Sequence, residues 1–510
     1  MNAISDLAFR KGRREMYRNP QEIEAEAKEV LAKFGGKDLN ARDKGHLPPM
    51  EMPTQKPEER IKNMHEVALG YTDDEVRAEA LRCLDCKGKP CMQGCPVSID
   101  IPAFVAAASR GEYEQSLAVL SESSLLPAIC GRVCPQENQC QKFCTMGRIR
   151  GNVDESVAIG RIERYVADWC RENGKETLPV VAPSTGKKVA VVGSGPASIS
   201  AAADLRKAGH EVVMFEALHK AGGVLVYGIP EFRLPKDIVA HEIDKLVKMG
   251  VEINLNYLVG RTRTLKQLKE EDGFDAIFIG SGAGLPKFMG IPGENAVGVF
   301  SANEYLTRAN LMKAFDTADA FTPLYPAKHV AVFGGGNVAM DSARMARRLG
   351  AEQVDVIYRR TEVEMPARKE EVAHAKEEGI NFLFLHAPLS IEYTADKFEK
   401  VTGVKLITCK LGEPDASGRR SPVEIPGTEK VYPYDAVIVA IGNSSNPLIK
   451  NTTKEIETNK RGNFIVNEET CETSIPGVYA GGDIVLGAAT VILAMGQGRK
   501  AAKAMNAYLK

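Results

Sequence analysis

One pattern constrains this chain more than any other, and it occurs twice: a short apolar run, a glycine-rich turn, and a helix rich in alanine. "KKVAVVGSGPASISAAADLRKAGHEVVMFE" spans 187–216, and "KHVAVFGGGNVAMDSARMARRLGAEQVDVIYRR" spans 328–360. An apolar run of five residues bounded by glycines reads as a strand buried on both faces of a parallel sheet. Each stretch therefore predicts a βαβ unit. A glycine-rich first turn in such a unit lets the backbone approach a pyrophosphate at the helix N-terminus. Two nucleotide sites in one chain suggest electron transfer between two cofactors.

In the first unit Gly193 and Gly195 lead into Pro196 and Ala197, and Ser198 stands where a third glycine is usual. The second strand ends at Glu216, whose carboxylate can accept from both ribose hydroxyls and would repel a 2′-phosphate. That fits FAD or NAD. The choice falls to FAD because "SIPGVYAGGD" (474–483) closes on Gly482 and Asp483, followed by a helix beginning near Ala489, Thr490 and Val491. A helix N-terminus there favours negative charge on a reduced flavin ring. The second unit carries Gly334, Gly335, Gly336, Asn337 and Val338, and its next strand ends in arginines rather than an acid. Arg359 and Arg360, with Arg368 further on, can pair with a 2′-phosphate, so this site is expected to take NADPH.

Of 11 cysteines, eight lie between residues 83 and 144. With 66 Lys+Arg against 67 Asp+Glu, the net charge of −1 gives no argument for nucleic acid or an anionic membrane. No apolar run approaches the ~18 residues of a membrane span. A cytoplasmic location is expected, which disfavours disulfides. The first quartet, Cys83, Cys86, Cys91 and Cys95 before Pro96, has spacing C-x2-C-x4-C-x3-C-P, unlike paired zinc knuckles and similar to the ferredoxin run. In that run the cysteine before the proline ligates the other of two clusters. Cys130, Cys134, Cys140 and Cys144 form a second quartet, so spacing alone predicts two [4Fe–4S] clusters on eight thiolates. Cys170, Cys409 and Cys471 read as small buried residues. Residues 21–34 read as a surface helix stopped by Gly35-Gly36.

The run "CLDCKGKPCMQGCP…CGRVCPQENQCQKFC", with "VAIGRIERYVADW", "GSGPA", "AGGVLVYGIPEFRLPK", "GGGNVAMDSAR" and "YAGGD", resembles the small (beta) subunit of NADPH-dependent glutamate synthase. It is similar also to the N-terminal half of dihydropyrimidine dehydrogenase and to the large subunit of the electron-bifurcating NADH-dependent ferredoxin:NADP oxidoreductase. The resemblance covers about residues 55 to 510. It implies one cluster on Cys83, Cys86, Cys91 and Cys144, and another on Cys95, Cys134, Cys140 and Glu163, leaving Cys130 spare against the eight-thiolate reading. It also lays the flavin along Gly222, Gly223 and Gly228, with Arg233 and Lys236 shaping that site.

The expected architecture is α/β: a helical iron–sulfur domain at 51–180, then two Rossmann-like domains. The FAD domain comprises 181–300 and 441–510, the NADPH domain 301–440, and residues 1–50 form an N-terminal extension. Clusters, FAD and NADPH account for the length, leaving no room for a glutaminase domain, an FMN barrel or a pyrimidine site. The expected role is electron input. NADPH delivers hydride to the flavin and the clusters pass single electrons on, a division of labour that assigns no acid–base side chain. The acceptor would be a glutamate synthase large subunit in a hetero-oligomer. The alternative is the bifurcating oxidoreductase, with a flavoprotein small subunit and ferredoxin, to which "PEERIKNMHEVALGYTDDEVRAEALRC" is similar.

Overall fold

The computed structural model describes residues 17–510 apart from 317, 319, 321 and 417. Its N-terminal part is helical. Asn19 caps the helix Pro20–Phe34 by accepting from the Gln21 amide at 3.0 Å, and Gly36 follows the stop at φ +69°. This helix is not a free surface element. Ile23, Ala27 and Val30 are buried, and the last two share a core with Met50, Val76, Phe104, Leu120, Ile162 and Val166. The buried carboxylate of Glu79 ties the segment down: it accepts the Met50 amide at 2.7 Å and the Ala158 amide at 2.8 Å, and pairs with Arg82 at 2.5 Å. Ala27, Val30, Leu47 and Met50 thus join this segment to the helical domain's core, while the rest of the helix surface stays exposed or half-buried as its periodicity implies.

Two five-stranded parallel sheets follow. The first runs, in spatial order, Val478–Ala480, Ala276–Ile279, Lys188–Val192, Glu211–Phe215 and Glu252–Asn254. Its edge strand at 478–480 returns from the far end of the chain, so this sheet closes only after the second is complete. The second sheet orders Val299–Ser301, Ala436–Val439, His329–Phe333, Gln353–Tyr358 and Asn381–Phe384. Between its last two strands in the chain lies an antiparallel sheet of His386–Tyr393, Val401–Pro414, Arg420–Glu424 and Lys430–Tyr432. The glycine motifs do not announce it.

Helix Pro196–Lys207 is clamped onto the first sheet by the C-terminal helix Val491–Tyr508. The two approach so closely that a Cβ at Gly498 would lie 2.1 Å from the Ala197 carbonyl oxygen. Among the described residues no helix is long and apolar enough to cross a membrane.

Candidate functional site

Each glycine loop sits at the C-terminal end of its sheet's central strand. Gly193 has φ +92°, and a Cβ there would meet the Gly280 carbonyl oxygen at 2.6 Å, so both conformation and space demand glycine. A Cβ on Gly195 would meet no protein atom within 4 Å, which leaves that side of the loop open to a ligand. Ser198 fills the third-glycine position and packs its hydroxyl against Gly280. The buried Glu216 carboxylate accepts the Ser194 hydroxyl and, at 2.8 Å, the Leu218 amide. The Ser194 hydroxyl also accepts the Gly222 amide at 2.9 Å, fixing the 222–228 segment onto the loop. Gly223, at φ +55°, faces Gly195 so closely that a Cβ would come within 2.9 Å of its Cα.

The return segment lies against the helix that follows this loop, where a Cβ on Gly482 would stand 3.0 Å from the Ala197 Cβ. Gly482, at φ +79°, donates to Gln497 at 2.7 Å, and Asp483 accepts the Ala489 amide at 3.2 Å. Burial pushes the Asp483 carboxyl up to about 6. Thr490 caps the C-terminal helix, accepting from Leu493 at 3.4 Å, with Val491 as the first helical residue.

In the second loop Gly334 has φ +144° and lies against the Ala440 carbonyl, while a Cβ on Gly335 would strike the Tyr358 ring at 2.7 Å. Asn337 opens the following helix and Val338 is solvent-exposed. The three arginines diverge. Arg359 is exposed at the strand end, where a 2′-phosphate could meet it. Arg360 is turned to the antiparallel insertion, donating to the Arg420 carbonyl at 2.7 Å and to Asp415 at 2.6 Å. Arg368 is buried and points its guanidinium at the helical domain, donating to the Arg132 carbonyl and to Gln136, both at 3.1 Å. Strand-end position alone could not distinguish these three fates, because each depends on an element distant in sequence.

The cysteines fall into two sets. Cys83, Cys86, Cys91 and Cys144 line one cavity with Leu84, Ile101, Val105, Met146 and Val157. Burial pushes the Cys83 thiol up to about 11 and Cys91 up to about 12, with the neighbouring thiols adding to both. Cys95, Cys134 and Cys140 form the other set, and all three feel the charge of Glu163. Glu163 is buried on the helix Ile159–Glu172, one carboxylate oxygen has no hydrogen-bond partner, and burial raises its carboxyl to about 8. A buried, unpartnered carboxylate beside three thiols is costly unless a cation balances it. Cys130 stands beside this set, hydrogen-bonded to Cys134. Among the described residues no three His, Cys, Asp or Glu close on a single ion. A four-iron cube offers each ligand its own corner, so the four thiols around the first cavity fit it.

The second thiol set adjoins the return segment and the C-terminal helix. Gln139, next to Cys140, donates to Thr490 at 3.4 Å, and Val97, two residues after Cys95, lies 3.1 Å from where a Gly496 Cβ would stand. The second glycine domain is fastened from below. Arg233 donates to both Asp341 oxygens at 2.7 and 2.8 Å, and Arg348 stacks 3.9 Å over the Phe232 ring. Arg60 of the helical domain pairs with Glu378 at 2.9 Å, which also binds Arg344 and Arg348. Arg233 thus joins domains, and Lys236 donates to the Ile229 and Leu234 carbonyls at 2.6 and 2.7 Å, which shapes the turn before it. These ion pairs went unanticipated in the sequence because no motif spacing marks them.

Residues 187–503 match the family described as pyridine nucleotide-disulphide oxidoreductase, and residues 60–175 match dihydropyrimidine dehydrogenase domain II, 4Fe-4S cluster. The glutamate synthase [NADPH] small chain of Escherichia coli is 36% identical over 87% of this chain and 94% of its own length. The chain belongs to this family of NADPH-dependent flavoprotein oxidoreductases. Within the small-chain family, the Halomonas elongata protein is 36% identical over 92% of this chain and 98% of its own length. The beta subunit of NADP(+)-dependent formate dehydrogenase from Moorella thermoacetica is 42% identical over 82% of this chain, which spans 60% of that relative's length. Among solved structures, Mycobacterium tuberculosis FprA in complex with NADPH has a TM-score of 0.53 at 20% identity, over 64% of this chain and 85% of that one, a likeness of fold. Membership carries iron–sulfur, FAD and NADP binding.

Proposed function

We propose that the chain is the electron-input subunit of a glutamate synthase, taking electrons from NADPH and passing them through FAD and two [4Fe–4S] clusters to a large subunit. The first glycine loop, Glu216 and the Gly482–Val491 segment would hold FAD. The second loop with Arg359 would hold NADPH. Cys83, Cys86, Cys91 and Cys144 would hold one cluster, and Cys95, Cys134, Cys140 and Glu163 the other. When bound, the flavin supplies the change from two-electron to one-electron chemistry and the clusters carry single electrons onward. The protein's own part is geometric. The Arg233–Asp341 pair holds the second glycine domain in one place against the first, the Arg60–Glu378 pair holds it against the helical domain, and the Gln139–Thr490 contact holds the second thiol set against the flavin-side helix.

The observation that carries this reading is the extent of likeness: the chain spans 94% and 98% of two glutamate synthase small chains, nearly end to end. A second reading, the input subunit of another complex, is favoured by the 42% identity to the formate dehydrogenase beta subunit. The bifurcating oxidoreductase, the alternative to which residues 57–83 are similar, is a version of that second reading. Purification of the native complex under anaerobic conditions, with mass spectrometry of what accompanies the chain, tests the choice. An amidotransferase with an FMN domain is expected; a formate dehydrogenase catalytic subunit or a small ferredoxin-reductase-like flavoprotein would overturn the first reading in favour of the second.

A further inference from the structure

Arg368 was expected to meet a nucleotide phosphate, yet its side chain lies in the seam between the second glycine domain and the helical domain. Its main chain belongs to the nucleotide loop: the Arg368 amide donates to the Asn337 side chain at 2.9 Å, and the preceding Ala367 amide donates to the Gly335 carbonyl at 3.1 Å. Its guanidinium belongs to the other domain. It donates to the Arg132 carbonyl and the Gln136 side-chain oxygen, both at 3.1 Å, and its Nε lies 3.6 Å from Glu137. Arg132, Gln136 and Glu137 bracket Cys134 in sequence, and the Gln136 amide donates to the Cys134 carbonyl at 2.9 Å.

The same side chain reaches the carboxylate ligand's helix. Gln136 packs against Gly160, one turn before Glu163, so tightly that a Cβ at Gly160 would lie 2.1 Å from its side-chain nitrogen. Gln136 also donates to the Gly131 carbonyl at 3.2 Å. One arginine therefore joins, through successive hydrogen bonds and contacts, the loop that would carry NADPH to the two backbone segments that carry Cys134 and Glu163. Its positive charge is buried, is felt at Cys134, and is the kind of fixed charge that favours the more negative, reduced state of a neighbouring cluster. Glu370, 3.0 Å away, and Glu137, 3.6 Å away, balance that charge, so its loss would deprive two carboxylates in the seam of this cation.

We propose that Arg368 is a positioning residue that couples the nucleotide loop to the Cys95, Cys134, Cys140 and Glu163 centre, raising that cluster's reduction potential and making it respond to nucleotide binding. The inference rests on the two-cluster reading above. Nucleotide bound against Gly335–Asn337 stiffens or shifts the 367–368 backbone, and the guanidinium transmits the change to Gln136 and Cys134.

The test is an anaerobic redox titration of the full-length holoprotein followed by electron paramagnetic resonance, with and without saturating NADP+. In wild-type protein, NADP+ is expected to shift the midpoint of the second cluster while leaving the Cys83, Cys86, Cys91 and Cys144 cluster unmoved. In Arg368→Gln the reduction equilibrium of the second cluster is expected to become about tenfold less favourable, which is about 59 mV for a one-electron couple, and the NADP+ response to vanish. Arg368→Lys, which keeps the charge, should recover most of the midpoint but not the response carried by the paired hydrogen bonds. Unchanged midpoints and an intact NADP+ response in Arg368→Gln would overturn the proposal while leaving the two-cluster reading in place. A wild-type protein showing a single cluster signal at four irons per chain would overturn both, so the two failures are distinguishable.

Discussion

Replacing Arg233 with methionine isolates the interaction that docks the second glycine domain. The guanidinium is buried, bonds both Asp341 oxygens at 2.7 and 2.8 Å, and places its Nε 3.1 Å from Glu371. Methionine keeps much of the aliphatic volume and removes the charge. Glu371 retains Arg344, so the loss falls on Asp341, stranded in a site where burial already raises its carboxyl to about 6 with the arginine present. Removing one partner of a buried pair costs about 3–5 kcal/mol, and Asp341 escapes part of this by taking up a proton, which points to the lower end, about 3 kcal/mol, at pH 7.5. The defect should shrink as pH falls toward 6, because protonation neutralises the stranded carboxylate. Adding Asp341→Leu should restore most of the stability, since an apolar pair can replace a buried ion pair at little cost. The assay is urea unfolding of the FAD-loaded protein read by flavin fluorescence, as a double-mutant cycle with stopped-flow flavin reduction by NADPH alongside. A single variant within about 0.5 kcal/mol of wild type, or a double variant no more stable than Arg233→Met, would refute the reasoning.

Other expectations follow from the same geometry. Arg359→Ala should weaken NADPH about tenfold or more while leaving NADH nearly unaffected, measured as Kd by flavin-free nucleotide titration, since Arg359 is the exposed arginine at the strand end. Arg360→Ala should instead lower thermal stability through loss of the Asp415 pair, and a larger NADPH effect than that of Arg359→Ala would contradict the assignment. His374 is buried and its imidazole is pushed down from 6.5 to about 4, so the folded protein binds its proton more weakly than the unfolded chain does. Its contribution is present above pH 6.5 and is lost as pH falls toward 4, by about 3 kcal/mol, so His374→Gln should flatten the stability profile in that window. Asp341 works against it, because a carboxyl raised from 3.8 to about 6 gains stability over nearly the same fall in pH. Glu163→Ala should remove about four irons per chain, whereas Cys130→Ala should remove none; the reverse pattern would give the ligand position to Cys130.

The parts of this molecule that were legible in the sequence are those whose physics is local. "KVAVV" and "HVAVF" read as doubly buried strands because no residue in either run needs water except the leading Lys188 and His329, and the glycines after them are demanded by backbone geometry at Gly193 and Gly334. The cysteine runs show which thiols are near one another along the chain. They do not show that Cys144 lines the same cavity as Cys83, an arrangement that needs the helices between them to fold back. The ion-pair seam was invisible for a related reason: Arg60 and Glu378 are 318 residues apart, and surface arginines and buried ones look alike in a sequence. The antiparallel sheet of 386–432 carries mixed polar and apolar strands with no motif, so it did not stand out from a plain surface insertion.

On the proposed reading, one chain holds a flavin and two four-iron clusters, the second completed by a carboxylate. The direct measurement is metal and flavin analysis of anaerobically purified protein together with Mössbauer spectroscopy. One FAD and about eight irons per chain are expected, with one iron site in eight showing the signature of oxygen rather than sulfur ligation. Four irons per chain, zinc in place of iron, or eight irons all ligated by sulfur would contradict it.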